Sequence, residues 1–291
     1  MNPAPPGPAG HTASQPRPAD ASASFGPDTA NPARVYCYWL GGKDHYAADR
    51  RAGDAVRRHR PQVVAGARAN RAFLARAVRY LAAECGIRQF LDIGTGLPAP
   101  ASTHEVAQQI APDSAIAYAD NDPLVLAYAR ALLTSQPPGR CGYIDADVRD
   151  PAAILTQAAR TLDLTRPVAM LLLAILHFLP DTDDPAGIVA HLAAALASGS
   201  FVVISHLTSD LAPAQVTAGV DAYNAAVPTG IMPRSHAQVT GLFSGLPLVA
   251  PGVVPVTEWR PDTPAPARPL ADLYAGMARI PPPGPPAGGR A

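Results

Sequence analysis

From residue 88 to residue 206 the chain alternates between short apolar runs and longer stretches with helical spacing. The apolar runs fall at about 88–93, 115–120, 141–145, 168–174 and 200–206, and the helical stretches at about 101–111, 123–134, 151–160 and 184–197. Val168-Ala169-Met170-Leu171-Leu172-Leu173 is apolar on both faces, the pattern of a strand covered by helices on either side. Such alternation predicts a parallel sheet in a doubly wound α/β domain. Ahead of it, residues 31–86 read as helical: Val63 to Ala83 puts Phe73, Leu74, Ala77, Val78 and Leu81 on one face, and Gly86 follows as a stop signal.

Beyond residue 206 the pattern changes. Helical runs at Leu211–Ala226 and Ser235–Phe243 precede two short strand candidates, Leu246–Ala250 and Val253–Trp259, separated by Pro251-Gly252. So short a link cannot make a parallel crossover, so an antiparallel hairpin at one edge is expected, completing a mostly parallel sheet of seven strands. Residues 1–30 and 281–291 are Pro-, Ala- and Gly-rich with almost no large apolar groups. They are read as disordered tails, because they cannot bury enough surface to offset their ordering entropy. The expected organisation is a tail (1–30), a helical cap (31–86), a main domain (87–280) and a second tail (281–291).

Three strand ends carry the candidate chemistry. Phe90-Leu91-Asp92-Ile93-Gly94-Thr95-Gly96, Ala117-Tyr118-Ala119-Asp120-Asn121-Asp122 and Tyr143-Ile144-Asp145-Ala146-Asp147 each run from strand formers into carboxylates, and the first also into glycines. Parallel sheets place ligands at the carboxyl ends of their strands. Gly94-Thr95-Gly96-Leu97-Pro98-Ala99 matches the G-x-G-x-x-A dinucleotide fingerprint. The surrounding carboxylates would repel a pyrophosphate, however, and a site with no nearby Arg or Lys is expected. That balance fits a cationic, phosphate-free nucleoside donor better than NAD. Asp122 before Pro123 reads instead as a helix N-cap.

Composition narrows the field further. The chain has 291 residues, 48% apolar, with formal net charge zero, which suits a packed core and gives no basic footprint for nucleic acid. Cys37, Cys85 and Cys141 are odd in number and unpaired by spacing, pointing to a reducing, cytoplasmic compartment and to no metal site. No apolar stretch reaches the ~18 residues of a membrane span, and no signal-peptide pattern opens the chain. Lys43 is the only lysine, set in Gly41-Gly42-Lys43-Asp44.

Asp92-Ile93-Gly94-Thr95-Gly96 resembles motif I of the class I S-adenosylmethionine (SAM)-dependent methyltransferases. From Ala30 to about Arg260 the chain is similar to a bacterial subgroup long filed as a domain of unknown function. The likeness runs through Ala33-Arg34-Val35-Tyr36, Tyr38-Trp39-Leu40-Gly41-Gly42-Lys43-Asp44, Ala67-Arg68-Ala69-Asn70-Arg71, Asp120-Asn121-Asp122-Pro123, Leu176-His177-Phe178-Leu179-Pro180-Asp181 and Ser205-His206-Leu207-Thr208. Cys37 and His45 depart from it, standing where an acidic residue and Asn are expected. The resemblance implies a Rossmann-like fold with SAM as cofactor and a small-molecule methyl acceptor, and no nucleic acid or membrane partner. It also implies cofactor contacts. Asp92 would orient the methionine end, and Gly94, Thr95 and Gly96 would let the loop pass close. Asp120, followed by Asn121, would accept the ribose hydroxyls. Asp147 and Val148 would meet the adenine, and Leu173 and Ala174 would lie against the methionine portion.

A general base aids transfer to a hydroxyl, and histidine suits neutral pH. His177 and His206, at or just past strand ends, are the candidates; His59, His104, His191 and His236 are expected at the surface. In the cap, Tyr38, Gly41, Gly42, Lys43 and Tyr46 are candidate substrate contacts, with Trp39 read as the buried face of a short helix. Two alternatives stay open: an NAD-linked oxidoreductase, and a cofactor-binding regulator without chemistry.

Overall fold

The computed structural model describes residues 26–263 and 271–282. Apart from their inner ends, the two expected tails lie outside these residues. Three helices come first, α1 (Pro32–Leu40), α2 (Ala47–His59) and α3 (Val63–Ala83). Strands and helices then alternate: β1 (Gln89–Ile93), α4 (Thr103–Ile110), β2 (Ala115–Asp120), α5 (Pro123–Leu132), β3 (Arg140–Asp145), α6 (Pro151–Ala158), β4 (Ala169–Leu173), α7 (Pro185–Ala194) and β5 (Phe201–Leu207). The described chain closes with α8 (Pro213–Ala226), α9 (His236–Gly241), β6 (Val254–Pro255) and β7 (Leu273–Arg279).

Local chemistry sets these boundaries. Helices α5, α6 and α7 all begin with Asp-Pro: the aspartate caps the helix and proline takes the first turn, where its missing N–H costs nothing. Asp122, Asp150 and Asp184 accept from Leu124 N (2.8 Å), Ala153 N (2.9 Å) and Gly187 N (3.0 Å). Helix α3 ends where Gly86 turns to φ +69° and lets Ile87 N donate to Leu81 O at 2.9 Å.

The sheet order is β3-β2-β1-β4-β5-β7-β6, with β7 antiparallel to β5 and β6 antiparallel to β7. Alternate residues feed two apolar layers. Phe90, Ile116, Leu171, Val203 and Met277 face a cluster with Phe73, Leu81 and Trp259, while Leu91, Ala117, Met170, Leu172 and Ile204 face Ile154 and Leu192. Trp259 is fully buried, edge-on to Phe73 (5.3 Å) and Tyr80 (6.0 Å), and ties the loop after β6 to α3. Helix α3 thus belongs both to the sheet packing and to the helices above the site.

The antiparallel edge differs from the expected hairpin. Only Val254–Pro255 of the second candidate is a strand, and Leu246–Ala250 contributes a single bridge, Leu248 to Ala278. The partner of both is β7, wedged between β5 and β6, which the sequence reading missed. Its core position favours small residues over strong strand formers: a Cβ on Gly276 would sit 3.0 Å from Val253 Cγ2 and 3.1 Å from Phe243 Cε2.

Helices α1, α2 and α8 and the start of α3 pack over the carboxyl ends of the strands through Val35, Ala52, Val56, Val63, Tyr223 and Val227. A buried ion pair, Arg34 Nε to Asp49 Oδ2 at 2.8 Å, binds α1 to α2. Asp49 Oδ1 also accepts from Asn31 N (2.9 Å), so the cap is fixed at the start of α1.

Candidate functional site

Strand order reverses between β1 and β4, whose chain connections run to opposite sides; this is where an open α/β sheet forms a crevice. A cavity of about 770 Å³ lies there, walled below by the strand ends and above by α1, α3 and α8. Asp92, Gly94, Thr95, Gly96, Asp120, Asn121, Asp147, Val148, Leu173, Ala174 and His177 all line it, as do Gly41 and Gly42.

Asp92 is buried and accepts from Thr103 Oγ1 at 2.6 Å; burial raises its pKa. Gly94 and Gly96 take φ of +76° and +65°, which residues with a Cβ rarely adopt. Gly94 N donates to Ala119 O (2.8 Å), and a Cβ there would meet Ile175 at 2.7 Å, so the loop is locked onto β2 and β4. Gly96 N donates to Asp120 Oδ2 (2.9 Å) and Asp122 N to Asp120 Oδ1 (3.0 Å). Each Asp120 oxygen keeps a lone pair for a ligand. Burial pushes its carboxyl up to about 6, against the lowering effect of those two N–H groups. Asn121 Nδ2 donates to Asp147 Oδ2 at 2.7 Å, fixing the third strand end against the second.

The two candidate histidines part company. His206 does not line the cavity. Its Nδ1–H donates to Leu207 O (2.7 Å) and its Nε2 accepts from Arg234 Nη1 (2.9 Å), so no ring nitrogen is left for a substrate. Burial holds it neutral, with a pKa near 4. It acts as a strut for Arg234, which donates to Leu176 O (3.0 Å), Leu179 O (2.8 Å) and Asp181 Oδ1 (2.7 Å) and so shapes the loop carrying His177. His177 does reach the cavity; it is buried, and its Nδ1 has no partner. Burial first, then the nearby His206 and arginines, lower its pKa well below the usual range, so the ring is neutral at pH 7. Contrary to expectation, His104 is also buried, with Nδ1 2.9 Å from Tyr118 Oη.

In the cap, three of the five candidate contacts, Tyr38, Lys43 and Tyr46, do not line the cavity. Tyr38 faces α2, donates to Asp54 Oδ1 at 2.8 Å and leaves the cavity to its neighbour Trp39. Lys43 is exposed outside the cavity, and Tyr46, 46% exposed, lies beside the Arg34 guanidinium at the start of α2. Helical phase explains the exchange: residues 32, 33, 36, 37 and 40 of α1 follow the cavity-facing stripe, and Trp39 flanks it. Gly42 is needed for contact, since a Cβ would run into Cys37 Sγ.

Several lining residues escaped the sequence reading. Asn70 of α3 donates to Tyr36 Oη (3.2 Å) and accepts from Ser205 Oγ (2.6 Å), joining cap, α3 and β5. Arg71 clamps the carbonyls of Pro100 and Ala101 at 3.1 Å, and its buried Nε has no partner. Arg60 and Arg149 also line the cavity, correcting the expectation of a site free of basic groups. Both are neutralised: Arg60 Nε meets Asp272 Oδ2 at 2.7 Å, and Arg149 meets Asp183 (2.6 Å) and Asp147 (3.2 Å). The one available signal was the Ala67–Arg71 segment, whose polar residues interrupt an otherwise apolar helix face. Among the described residues no cluster of metal-ligating side chains exists, and no helix is long and apolar enough to cross a membrane.

The sequence model of the S-adenosyl methyltransferase family matches residues 18–281. The chain belongs to that family. It is a SAM-dependent methyltransferase. A DUF574 family protein from Streptomyces avermitilis is 46% identical and superposes with a TM-score of 0.84 over 87% of this chain and 98% of its own. A candidate methyltransferase from Thermobifida fusca is 37% identical, with a TM-score of 0.81 over 90% of this chain and 98% of its own. An O-methyltransferase family protein from Burkholderia thailandensis, 14% identical with a TM-score of 0.51 over 81% of this chain and 60% of its own, shares the fold. No curated protein matches the chain. Neither alternative, NAD-linked nor non-catalytic, gains support from these likenesses.

The lining fits the family's cofactor chemically. Asp120 offers a carboxylate with a free lone pair on each oxygen, suited to a vicinal diol. Arg60 and Arg149 are bound to aspartates and Arg71 to loop carbonyls, with only its Nε unpaired, so the cavity has no pair of free basic groups set up for a pyrophosphate. When bound, SAM supplies an electrophilic methyl group on a sulfonium.

Proposed function

We propose that this methyltransferase acts on a small molecule held beneath the cap, with His177 touching the acceptor. The observation that carries the reading is a single cavity that joins the strand-end carboxylates to His177 and the cap. In this reading Asp120, steadied by Gly96 and Asp122, accepts the ribose hydroxyls. Asn121, Asp147 and Val148 bound the adenine, and Asp92 with Gly94, Thr95, Leu173 and Ala174 bounds the methionine end. Gly41 and Gly42 close the cavity from the cap side. Neutral His177 accepts a hydrogen bond from the acceptor and so orients its nucleophilic atom; methyl transfer needs little more than such placement and exclusion of water.

A cavity covered on one side by α1, α3 and α8 and a zero net charge support a small acceptor over a nucleic acid. The free thiols of Cys37, Cys85 and Cys141 support a reducing, cytoplasmic setting. Calorimetry with SAM, S-adenosylhomocysteine and NAD tests the cofactor half. Binding of the first two and not NAD is expected, and uptake of NAD alone would overturn the assignment.

A further inference from the structure

The cavity has two chemically distinct ends. Its carboxylates belong to the strand ends and their following loops. Under α1, α2 and α8 the wall is apolar: Trp39, Val56, Val63, Phe178, Tyr223 and Ile231 line it and pack into one cluster. Trp39 and Tyr223 stand 6.5 Å apart and tilted at 45°, and Phe178 lies 4.5 Å from the His177 ring. Aromatic walls of this kind gain most from a flat, apolar guest.

Charge at this end is already matched. Of the arginines that line the cavity, Arg60 stands beside this apolar wall, and its partner Asp272 is bound at 2.7 Å with both groups buried; Arg71 is held at the other end, on the carbonyls of Pro100 and Ala101 near Asp92. A protonated amine would meet no free carboxylate there, and an anionic acceptor would have to compete with Asp272. Two side chains beside this wall make no side-chain hydrogen bond among the described residues: His177, whose Nδ1 is buried without a partner, and Tyr223. Polar side chains without partners beside a cavity favour a ligand that pairs with them, here the His177 ring and the Tyr223 hydroxyl.

Resting on the function proposed above, we propose that the acceptor is an uncharged, planar aromatic molecule bearing a hydroxyl, and that the reaction is O-methylation. The hydroxyl faces His177, and the ring lies among Trp39, Phe178 and Tyr223, whose own hydroxyl meets a second polar group of the acceptor. On transfer the C–O bond forms as the methyl–sulfur bond breaks, and sulfur keeps the electron pair. The hydroxyl proton leaves through His177 to water, and the products are a methyl ether and S-adenosylhomocysteine.

The test loads the full chain with S-adenosylhomocysteine and titrates phenol, 1-naphthol, 1-naphthoic acid and 1-naphthylmethylamine by calorimetry. A neutral phenol is expected to bind at least about tenfold tighter than the acid or the amine, a margin set by burying an unmatched charge. Trp39→Ala and Phe178→Leu are each expected to weaken phenol binding by about tenfold through lost ring contact while leaving S-adenosylhomocysteine affinity in place. That retained affinity also shows the variants are folded. With SAM, mass spectrometry should find the methyl ether and no methyl ester or N-methyl amine. Cofactor binding with no neutral phenol bound below about 1 mM, or tighter binding of the acid or amine, overturns this acceptor class and leaves the methyltransferase site standing. Failure of S-adenosylhomocysteine itself to bind overturns both.

Discussion

The two ends of the cavity are built in opposite ways. The strand-end half comes from three short, contiguous segments, each held by backbone geometry: positive φ at Gly94 and Gly96, and N–H groups aimed at Asp120. The cap half is gathered from α1, α2, α3 and α8 and from the loop after β4. It is held by side chains, chiefly the Arg34–Asp49 and Arg60–Asp272 pairs and the Asn70 bridge. A half fixed by the backbone accepts one ligand class, whereas a half fixed by side chains can change specificity with a few substitutions.

Breaking the cap should give the largest effect. Asp49→Ala removes the carboxylate partner of the buried Arg34, which keeps its carbonyl acceptors, and leaves Asn31 N unpaired, and a loss of about 3–5 kcal/mol in denaturant unfolding is expected. A loss near zero would show that the cap owes little to this pair. Next comes His177→Ala. Methylation of whichever phenol proves a substrate should fall about a hundredfold, with S-adenosylhomocysteine affinity unmoved in calorimetry.

In the other half, Asp120→Ala is expected to weaken S-adenosylhomocysteine by about 1.5–3 kcal/mol, the worth of hydrogen bonds to a charged group. Unchanged affinity would remove Asp120 from the ribose site. The same carboxyl sets a pH dependence. In the proposed site ribose hydroxyls would donate to its ionised form, so cofactor affinity should rise as pH passes upward through about 6 and fall below it, by up to about tenfold per pH unit. Stability has the opposite sign: with its folded pKa raised above 3.8, this group is least costly when protonated, so its penalty grows as pH rises toward 6. Asp120→Asn should flatten the affinity profile measured between pH 5 and pH 8 by about as much. The smallest effects belong to Tyr38→Phe and Lys43→Ala. Both lie outside the cavity and should leave cofactor and phenol binding within about 0.5 kcal/mol. A larger loss at Lys43 would draw the Gly-Gly-Lys-Asp segment into the site.

Legibility followed the same division. Strand-end carboxylates, the Asp-Pro caps and the bounds of α3 could all be read in advance, since local spacing and turn chemistry fix them. Strand β7 could not, because its Ala- and Gly-containing run is selected by the packing of Phe243 and Val253. Tyr38 and Trp39 are adjacent in sequence, and only the roll of α1 against α2 decides which one reaches the cavity.

By itself the sequence determined the alternation that builds the sheet and the glycines and carboxylates that shape the cofactor end, because these depend on neighbours a few residues away. Tertiary structure alone decided that His206 is a strut while His177 is available. It also decided that Arg60 and Arg149 meet neutralising partners, and that an aromatic pocket closes over the strand ends. Those outcomes rest on contacts between residues far apart in the chain, such as Arg60 with Asp272, whose distance and burial exist only once the helices have packed.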